Sequence, residues 1–354
     1  MEKLKNITVS LTFTLFICII FVINIFKKDN DISVSERRKL EQFPKFSLTS
    51  FTNGTFFKKF DTYTTDQFIK RDGFRTLKAI LELKIRNNYK NLYVNEDYIV
   101  EQLYPLDTES VNNIVSKINF IKDNYLSNNN IYFSIIPDKN YFIDNDNLKL
   151  DYNNMIDILK KTNIQYIDIF SDLNLNNYYY TDSHWKEETL ENVASKFSKE
   201  MDFITDNYTV EDSSYFKGVY ASRLPIKVKE DKIKLLHNDI IDNATVYDYE
   251  TKEYTKIYNY DKLESLDKYD IYLGGAKALL EIETNSTSNK ELIVFRDSFG
   301  SSLIPLFTSG YKKIIVVDTR YISSKILKDF INFDNKDVLF IYSTSLVNNS
   351  YTLK

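Results

Sequence analysis

The order of apolar residues along the chain predicts buried β-strands that alternate with helices. Several short apolar runs have the length of a strand, and most lack the alternation of a half-exposed one. The predicted strands are 131–136, 165–170, 292–295, 313–317 and 338–342. Helical spacing of apolar residues predicts helices at 111–125, 155–161 and 187–201. Together these predict an α/β fold with a mainly parallel sheet and helices on both faces.

The N-terminal region carries a longer apolar run of about 20 residues, which begins at Ile7 and ends at Phe26. The run contains no charged residue and is long enough to cross a bilayer as a transmembrane helix. Lysines on both sides leave the positive-inside rule undecided. No small-x-small cleavage site follows, which predicts an uncleaved membrane anchor rather than a signal peptide. The short, positive N-terminus favours a cytoplasmic tip and an extracytoplasmic C-terminal part.

Changes in composition divide the chain into three predicted parts. Residues 1–29 contain the tip and anchor, residues 30–94 a polar linker and packing helices, and residues 95–354 the main domain. The packing helices are predicted from helical spacing, with a break at Asp72-Gly73. A region of about 205–265 is rich in Asp, Lys and Tyr and is predicted to be an inserted antiparallel or irregular segment.

Charge and composition narrow the function classes. The net charge of −4 and the isoelectric point near 5.5 give no argument for binding nucleic acid. Cys18 is the only cysteine, so an intramolecular disulfide is excluded. His184 and His237 are the only histidines, so any imidazole chemistry must use one of them.

His184 has the neighbours expected of a catalytic base. It follows Asp182 by two residues and precedes Trp185, the only tryptophan. An aspartate in that position is able to hold one imidazole nitrogen and stabilise the imidazolium. The structural alternatives are that Asp182 or Ser183 caps the following helix and that His184 is a packed, hydrogen-bonded residue. Asp-x-His also occurs as a pair of metal ligands, but no further His or Cys cluster supports a metal site.

Ser298 lies three residues after the predicted strand 292–295 and just before a Gly-Ser-Ser segment. A turn between strand and helix lifts a serine above the sheet edge, where the N–H groups of Ser298 and Phe299 are expected to face a developing oxyanion. A serine hydroxyl needs a base to become a nucleophile, and His184 is the candidate base. The structural alternative is a turn serine with Asp297 as a cap.

Several motifs together resemble the DHHW proteins, which are similar to the alginate O-acetyltransferase group of SGNH-hydrolase-like enzymes. Asp182-Ser183-His184-Trp185 resembles the family signature, with Ser183 in place of a histidine. Ala276 follows a Gly-Gly pair where a polar residue is expected. Four further motifs match in order: Glu36-Arg37-Arg38-Lys39-Leu40 with Phe43-Pro44, Pro137-Asp138-Lys139, Tyr272-Leu273-Gly274-Gly275 and Arg296-Asp297-Ser298-Phe299.

The resemblance implies an SGNH-hydrolase-like domain and roles for individual residues. Ser298 is then the nucleophile, His184 the base and Asp182 the residue that orients the base. The residues for which it implies oxyanion or substrate binding are Phe299, Gly275, Arg296, Trp185 and Lys139. No cofactor and no metal are expected.

The activity that the resemblance implies is O-acetyl transfer to a cell-surface polysaccharide, outside the cytoplasm. The acetyl group is expected to arrive through a membrane-bound O-acyltransferase partner. The same triad also suits an acetyl esterase, because water and a sugar hydroxyl are both acceptors. A non-catalytic glycan-binding or assembly scaffold is an alternative of another class. These functions differ in whether an acyl-Ser298 adduct forms and in whether water or a sugar hydroxyl then takes the acyl group from Ser298.

Overall fold

The computed structural model describes residues 1–144 and 146–354, which divide into a first unit of 1–89 with 221–227 and a second unit of 90–220 with 228–354. The helices are α1 (Glu2–Phe26), α2 (Leu48–Thr52), α3 (Thr55–Asp66), α4 (Arg71–Arg86), α5 (Thr108–Tyr125), α6 (Tyr152–Lys160), α7 (Glu191–Met201), α8 (Val219–Arg223), α9 (Asp239–Asn243), α10 (Gly300–Leu303) and α11 (Thr344–Val347). The strands are β1 (Ile32–Ser33), β2 (Arg38–Lys39), β3 (Leu92–Asn95), β4 (Tyr98–Glu101), β5 (Asn130–Ile136), β6 (Gln165–Tyr166), β7 (Thr209–Phe216), β8 (Asp231–His237), β9 (Thr245–Asp248), β10 (Glu253–Thr255), β11 (Leu279–Glu283), β12 (Glu291–Arg296), β13 (Lys313–Val317) and β14 (Asp337–Ser343).

The first unit contains α1 to α4 and an antiparallel pair of β1 and β2. In the chain as described, α1 is the one helix long and apolar enough to cross a membrane; its most apolar window has a mean hydropathy of 2.6, and none of its residues is buried. The predicted break at Asp72-Gly73 is wrong, because both residues lie within the first turn of α4. The chain instead turns at Lys70, which has a left-handed φ of 52°.

An eight-stranded sheet forms the centre of the second unit, in the order β10-β9-β11-β13-β12-β14-β5-β6. Five neighbouring strands are parallel to one another: β13, β12, β14, β5 and β6. The remaining strands, β10, β9 and β11, pair antiparallel with one another, and β11 also pairs antiparallel with β13. The predicted α/β fold with a mainly parallel sheet is therefore confirmed.

Two segments differ from the predicted strand pattern. The predicted strand 165–170 is reduced to β6, because the chain turns where Asp168 accepts a hydrogen bond from the Phe170 amide at 3.0 Å. Within 205–265, β7 and β8 form a separate antiparallel pair, whereas β9 and β10 extend the edge of the main sheet.

Helices cover both faces of the main sheet, because alternate side chains of its central strands pack into two different cores. In β12, Leu292 and Val294 lie in a core with apolar residues of α7. Ile293 and Phe295 lie in a second core with apolar residues of α5. Since successive side chains of a strand point to opposite faces, α7 and α5 lie on opposite faces of the sheet.

The carboxyl ends of β12, β14 and β5 lie side by side at one edge of the sheet. Their register pairs Arg296 with Ile341 and Ser343 with Ile136. The segments that follow these strands therefore meet at the same edge, where open parallel sheets usually bind their ligands.

Candidate active site

Ser298 lies in a tight turn between β12 and α10 and is partly exposed. The buried carboxylate of Asp297 organises this turn. It accepts hydrogen bonds from the Phe299 amide at 3.1 Å and from the amide and hydroxyl of Ser343 at 2.9 and 2.5 Å. Asp297 thus joins the end of β12 to the end of β14 and sets the position of Ser298.

The structure brings Ser298, His184 and Asp182 together in one chain of hydrogen bonds. His184 Nε2 lies 2.8 Å from Ser298 Oγ, and His184 Nδ1 lies 2.5 Å from Asp182 Oδ1. With its proton on Nδ1, the neutral imidazole donates to Asp182 and accepts from the serine hydroxyl. This arrangement allows the imidazole to remove the serine proton while the carboxylate holds the ring.

Asp182 is almost fully buried, with 1% of its surface exposed. Burial raises its pKa, but the charge of His184 and hydrogen bonds from the His184 ring and the Val219 amide hold the pKa of Asp182 well below its usual range. The Val219 amide donates to Asp182 Oδ2 at 2.8 Å. Gly218 permits this approach, since a Cβ there would lie 2.3 Å from the Cβ of Asp182. The carboxylate is therefore ionised at neutral pH.

Tyr269 contacts the proposed base but was missed from the sequence. Its ring stacks face to face on His184, with centroids 3.8 Å apart and an angle of 9° between the planes. Its hydroxyl shares a hydrogen bond of 2.7 Å with Ser302 Oγ, and burial raises the pKa of Tyr269 well above its usual value, so the phenol stays neutral. The only sequence signal was its position, three residues before the Tyr272-Leu273-Gly274-Gly275 motif.

Two buried ionisable side chains hold the loop that carries Asp182. Asp231, in β8, accepts hydrogen bonds from the amides of Tyr180 and Thr181 at 2.6 and 2.7 Å. Lys139 Nζ donates to a backbone carbonyl of the same loop at 3.0 Å. Burial lowers the pKa of Lys139 to about 7, although the carboxylates of Asp182 and Asp231 favour its charged form. No local motif marked Asp231, because its partners lie some 50 residues earlier.

Three residues expected to bind substrate have almost no exposed surface, which corrects that expectation. Trp185, Arg296 and Lys139 are 0%, 1% and 3% exposed, so they face protein rather than a polysaccharide. Trp185 Nε1 donates to the carbonyl of Phe299 at 2.9 Å, and Arg296 donates to Asp318 at 3.2 Å. Trp185 and Lys139 thus bind the segments that carry Ser298 and Asp182, and Arg296 joins the end of β12 to the residue that follows β13.

Two of the residues expected at the oxyanion or substrate site, Phe299 and Gly275, donate their amides elsewhere, whereas the predicted Ser298 amide does not. The Phe299 amide donates to the neighbouring aspartate at 3.1 Å, and the Gly275 amide donates to the carbonyl of Tyr272 at 3.2 Å. Gly275 has a left-handed φ of 87°, and a Cβ there would lie 2.4 Å from a carboxylate oxygen, so the turn itself requires glycine. The amide of Ser298 has no hydrogen-bond partner within 1–144 and 146–354 and is the donor left for an oxyanion.

The alternative of a metal site receives no support from the geometry. Asp182 and His184 contact each other at 2.5 Å, so they are not directed at a shared ion. Within the part of the chain that the structure describes, no group of three or more His, Cys, Asp or Glu side chains is arranged for a metal.

Comparison with known proteins agrees with the fold and with part of the motif pattern. The family model described as DHHW protein matches residues 36–148, which include the first two of the four further motifs and end before Asp182. A solved DHHW family protein from Eubacterium siraeum is similar with a TM-score of 0.58 and 19% identity, over 74% of this chain and 93% of that one. The resemblance to the DHHW proteins is confirmed.

Two further solved structures are similar to the chain. Bacillus cereus PatB1 with a sulfonyl adduct has a TM-score of 0.56 and 14% identity, over 72% of this chain and 97% of that one. The O-acetyltransferase domain of Pseudomonas putida AlgJ has a TM-score of 0.43 and 10% identity, over 73% and 92%. The DHHW protein and PatB1 share the fold of this chain. No curated protein matches its sequence.

Proposed function

We propose that this protein is a membrane-anchored, extracytoplasmic O-acetyltransferase that modifies hydroxyls of a cell-surface polysaccharide. The observation that carries the proposal is the hydrogen-bonded chain from Ser298 Oγ through His184 to Asp182. The choice of acetyl transfer rests on the resemblance of the motifs to those of DHHW proteins. The choice of compartment rests on α1, which is long and apolar enough to serve as the anchor.

In the first half of the reaction, Ser298 becomes acetylated. Ser298 Oγ attacks the acetyl carbonyl of the donor while His184 Nε2 takes the hydroxyl proton, and Asp182 stabilises the imidazolium. Negative charge develops on the carbonyl oxygen, which would accept a hydrogen bond from the Ser298 amide. As the donor's bond to the acetyl group breaks, the leaving group receives the proton from His184. The products are acetyl-Ser298 and the free donor.

In the second half, a sugar hydroxyl takes the acetyl group. His184 Nε2 removes the proton of the sugar hydroxyl as its oxygen attacks the ester carbonyl of acetyl-Ser298. The bond to Ser298 Oγ then breaks, and His184 returns the proton to that oxygen. The supply of acetyl groups from a membrane-bound O-acyltransferase partner belongs to the same proposal, because α1 would hold the domain beside such a protein.

The test compares wild-type protein with Ser298→Ala and His184→Ala, using an activated acetyl ester with and without an oligosaccharide acceptor. Each variant alone is expected to lose roughly 10⁴–10⁶-fold in turnover, about as much as the double variant, because the two groups act as a unit. Asp182→Asn is expected to lose roughly 10⁴-fold, since it changes the tautomer and orientation of the base. Mass spectrometry should find an acetyl group on the Ser298 peptide of the wild-type protein.

Matched controls separate chemistry from folding. His237→Ala removes the other histidine, and Ser309→Ala removes a buried hydroxyl that has no hydrogen-bond partner in the described ranges. Both are expected to keep full turnover. Undiminished turnover in Ser298→Ala would refute the nucleophile. Equal acetate release with and without every acceptor would identify an esterase, and the absence of any acyl-Ser298 adduct would favour a non-catalytic scaffold.

A further inference from the structure

A cluster of aromatic rings lies on the surface of the first unit, and we call it the aromatic patch. Its rings contact one another in an unbroken series, with centroid separations between 5.0 and 6.2 Å. The members are Phe43, Phe46, Phe51, Phe56, Phe57, Phe60 and Tyr63. Phe46 and Phe57 are 65% and 53% exposed. A contiguous exposed apolar surface of this kind marks a contact with a partner or a membrane.

The aromatic patch is tied directly to the C-terminal end of α1. The Ile69 amide donates to Asn24 Oδ1, in the last turns of α1, at 2.8 Å. The Asn30 amide donates to Gln67 Oε1 at 3.0 Å, and Tyr63, itself a member of the patch, donates to Asp29 at 3.3 Å. The end of α3 is therefore held beside the end of α1. Since a helical residue rises about 1.5 Å, the patch rings carried by α3, which begin at Phe56, lie within about three turns, or about 15 Å, of that junction.

The charges around the aromatic patch fit an anionic bilayer surface. Over the span of the patch, from residue 43 to residue 63, the chain contains three lysines, Lys45, Lys58 and Lys59, and one carboxylate, Asp61, so the segment has a net charge of +2. Lys27 and Lys28 follow the end of α1, and Asp29 and Asp31 come directly after them. Phenylalanine rings on one side and lysines on the other are the composition of a segment that lies in the bilayer interface.

We propose that the aromatic patch rests in the headgroup region of the bilayer that α1 crosses. The rings would enter the boundary between headgroups and acyl chains by about 5–10 Å, as in interfacial helices. The lysines would lie at the level of the lipid phosphates. The first unit would then be attached at two places, by α1 and by the patch. This inference depends on α1 as a membrane helix and does not depend on the proposed catalytic function.

The test uses full-length protein in phosphatidylcholine vesicles that contain phosphatidylglycerol and lipids brominated at shallow or deep acyl positions. Phe57→Trp places a fluorescent reporter in the patch, and Phe46→Trp places a second one. Trp185, the only native tryptophan, is 0% exposed, so the wild-type protein supplies the background emission. Phe330→Trp, in the second unit at a position 45% exposed, is the matched control.

Both patch reporters are expected to lose emission with the shallow bromines and to lose less with the deep ones. Phe330→Trp and the wild-type protein are expected to change little. Patch reporters that are quenched no more than Phe330→Trp would refute the proposal, and a blue-shifted emission without quenching would also refute it, because it would place the rings against protein, in the same chain or in a second copy. Failure of the protein to float with the vesicles would also refute it, since the patch needs α1 in the bilayer.

Discussion

His184 is positioned by residues from three separate parts of the chain. Asp182 lies two positions from His184 in the sequence and is hydrogen-bonded to Nδ1. Ser298 lies 114 positions from His184 and is hydrogen-bonded to Nε2. Tyr269 covers one face of the ring. Because the imidazole becomes a cation when it takes a proton, the π-face of Tyr269 is placed to stabilise the charged form.

Replacing Tyr269 with Leu is expected to lower kcat by roughly 2–30-fold, since a cation–π contact contributes about 0.5–2 kcal/mol. KM is expected to stay the same, because Tyr269 is buried and stabilises a charge that forms during the reaction. Tyr269→Phe keeps the ring and loses only the bond to Ser302, so it should restore most of the turnover. Steady-state kinetics on the activated ester measure both variants. Equal losses for Leu and Phe would contradict a role for the ring.

The loop that presents Asp182 and His184 lacks regular secondary structure and depends on contacts with other elements. The Tyr179 amide donates to the carbonyl of His184 at 3.1 Å, which closes the loop on itself. The amides of Tyr180 and Thr181, just before Asp182, donate hydrogen bonds to Asp231. Asp231 lies in β8, a strand of the separate antiparallel pair. That strand pair therefore supports the candidate site although it lies outside the main sheet.

Asp231→Asn is expected to lower the free energy of unfolding by about 1.5–3 kcal/mol, because an amide cannot accept every hydrogen bond that this buried carboxylate accepts. Turnover should fall as well, since the loop loses its fixed position. Asp212→Asn is the matched control, because Asp212 is an exposed residue of the same strand pair and forms a surface ion pair with Lys232 at 2.6 Å. Denaturant unfolding of both variants tests this. A wild-type unfolding curve for Asp231→Asn would show that the loop is held by other contacts.

At the scale of the whole molecule, one buried carboxyl joins the region around the site to the strand pair. Glu187 accepts hydrogen bonds from the Leu236 amide and the Tyr258 hydroxyl, each at 2.9 Å. Burial raises the pKa of Glu187 well above its usual value, although both hydrogen bonds lower it. The folded protein thus binds this proton more tightly than the unfolded chain does. Its contribution to stability falls as the pH rises above the unfolded pKa of about 4.5.

Glu187→Gln should remove this pH dependence, because the amide resembles the protonated acid in shape and hydrogen bonding. The Tm of the variant relative to wild type is expected to increase from about pH 5 to pH 8. Thermal unfolding across this range measures the difference, with the exposed Glu191→Gln as control. A variant that is destabilised equally at every pH would mean that the carboxylate is ionised in the folded protein.

The features that depend on local pattern could be predicted from the amino-acid sequence. Buried strands such as 292–295 and 313–317, the helix at 111–125 and the apolar N-terminal helix were predicted because their periodicity lies within one element. The three residues of the proposed triad were also chosen from the chain alone. Asp-x-His and a serine in a strand-to-helix turn are local motifs that chemistry constrains.

The surroundings of those residues could not be predicted and became visible in the three-dimensional structure. It showed that the Phe299 amide is already hydrogen-bonded, that Trp185 is buried and that Tyr269 stacks on His184. It also set the order of the strands and reduced the predicted strand 165–170 to β6. Such contacts join residues tens to hundreds of positions apart, and they follow from packing and strand register. Neither leaves a periodic signal in the sequence around any one of the partners.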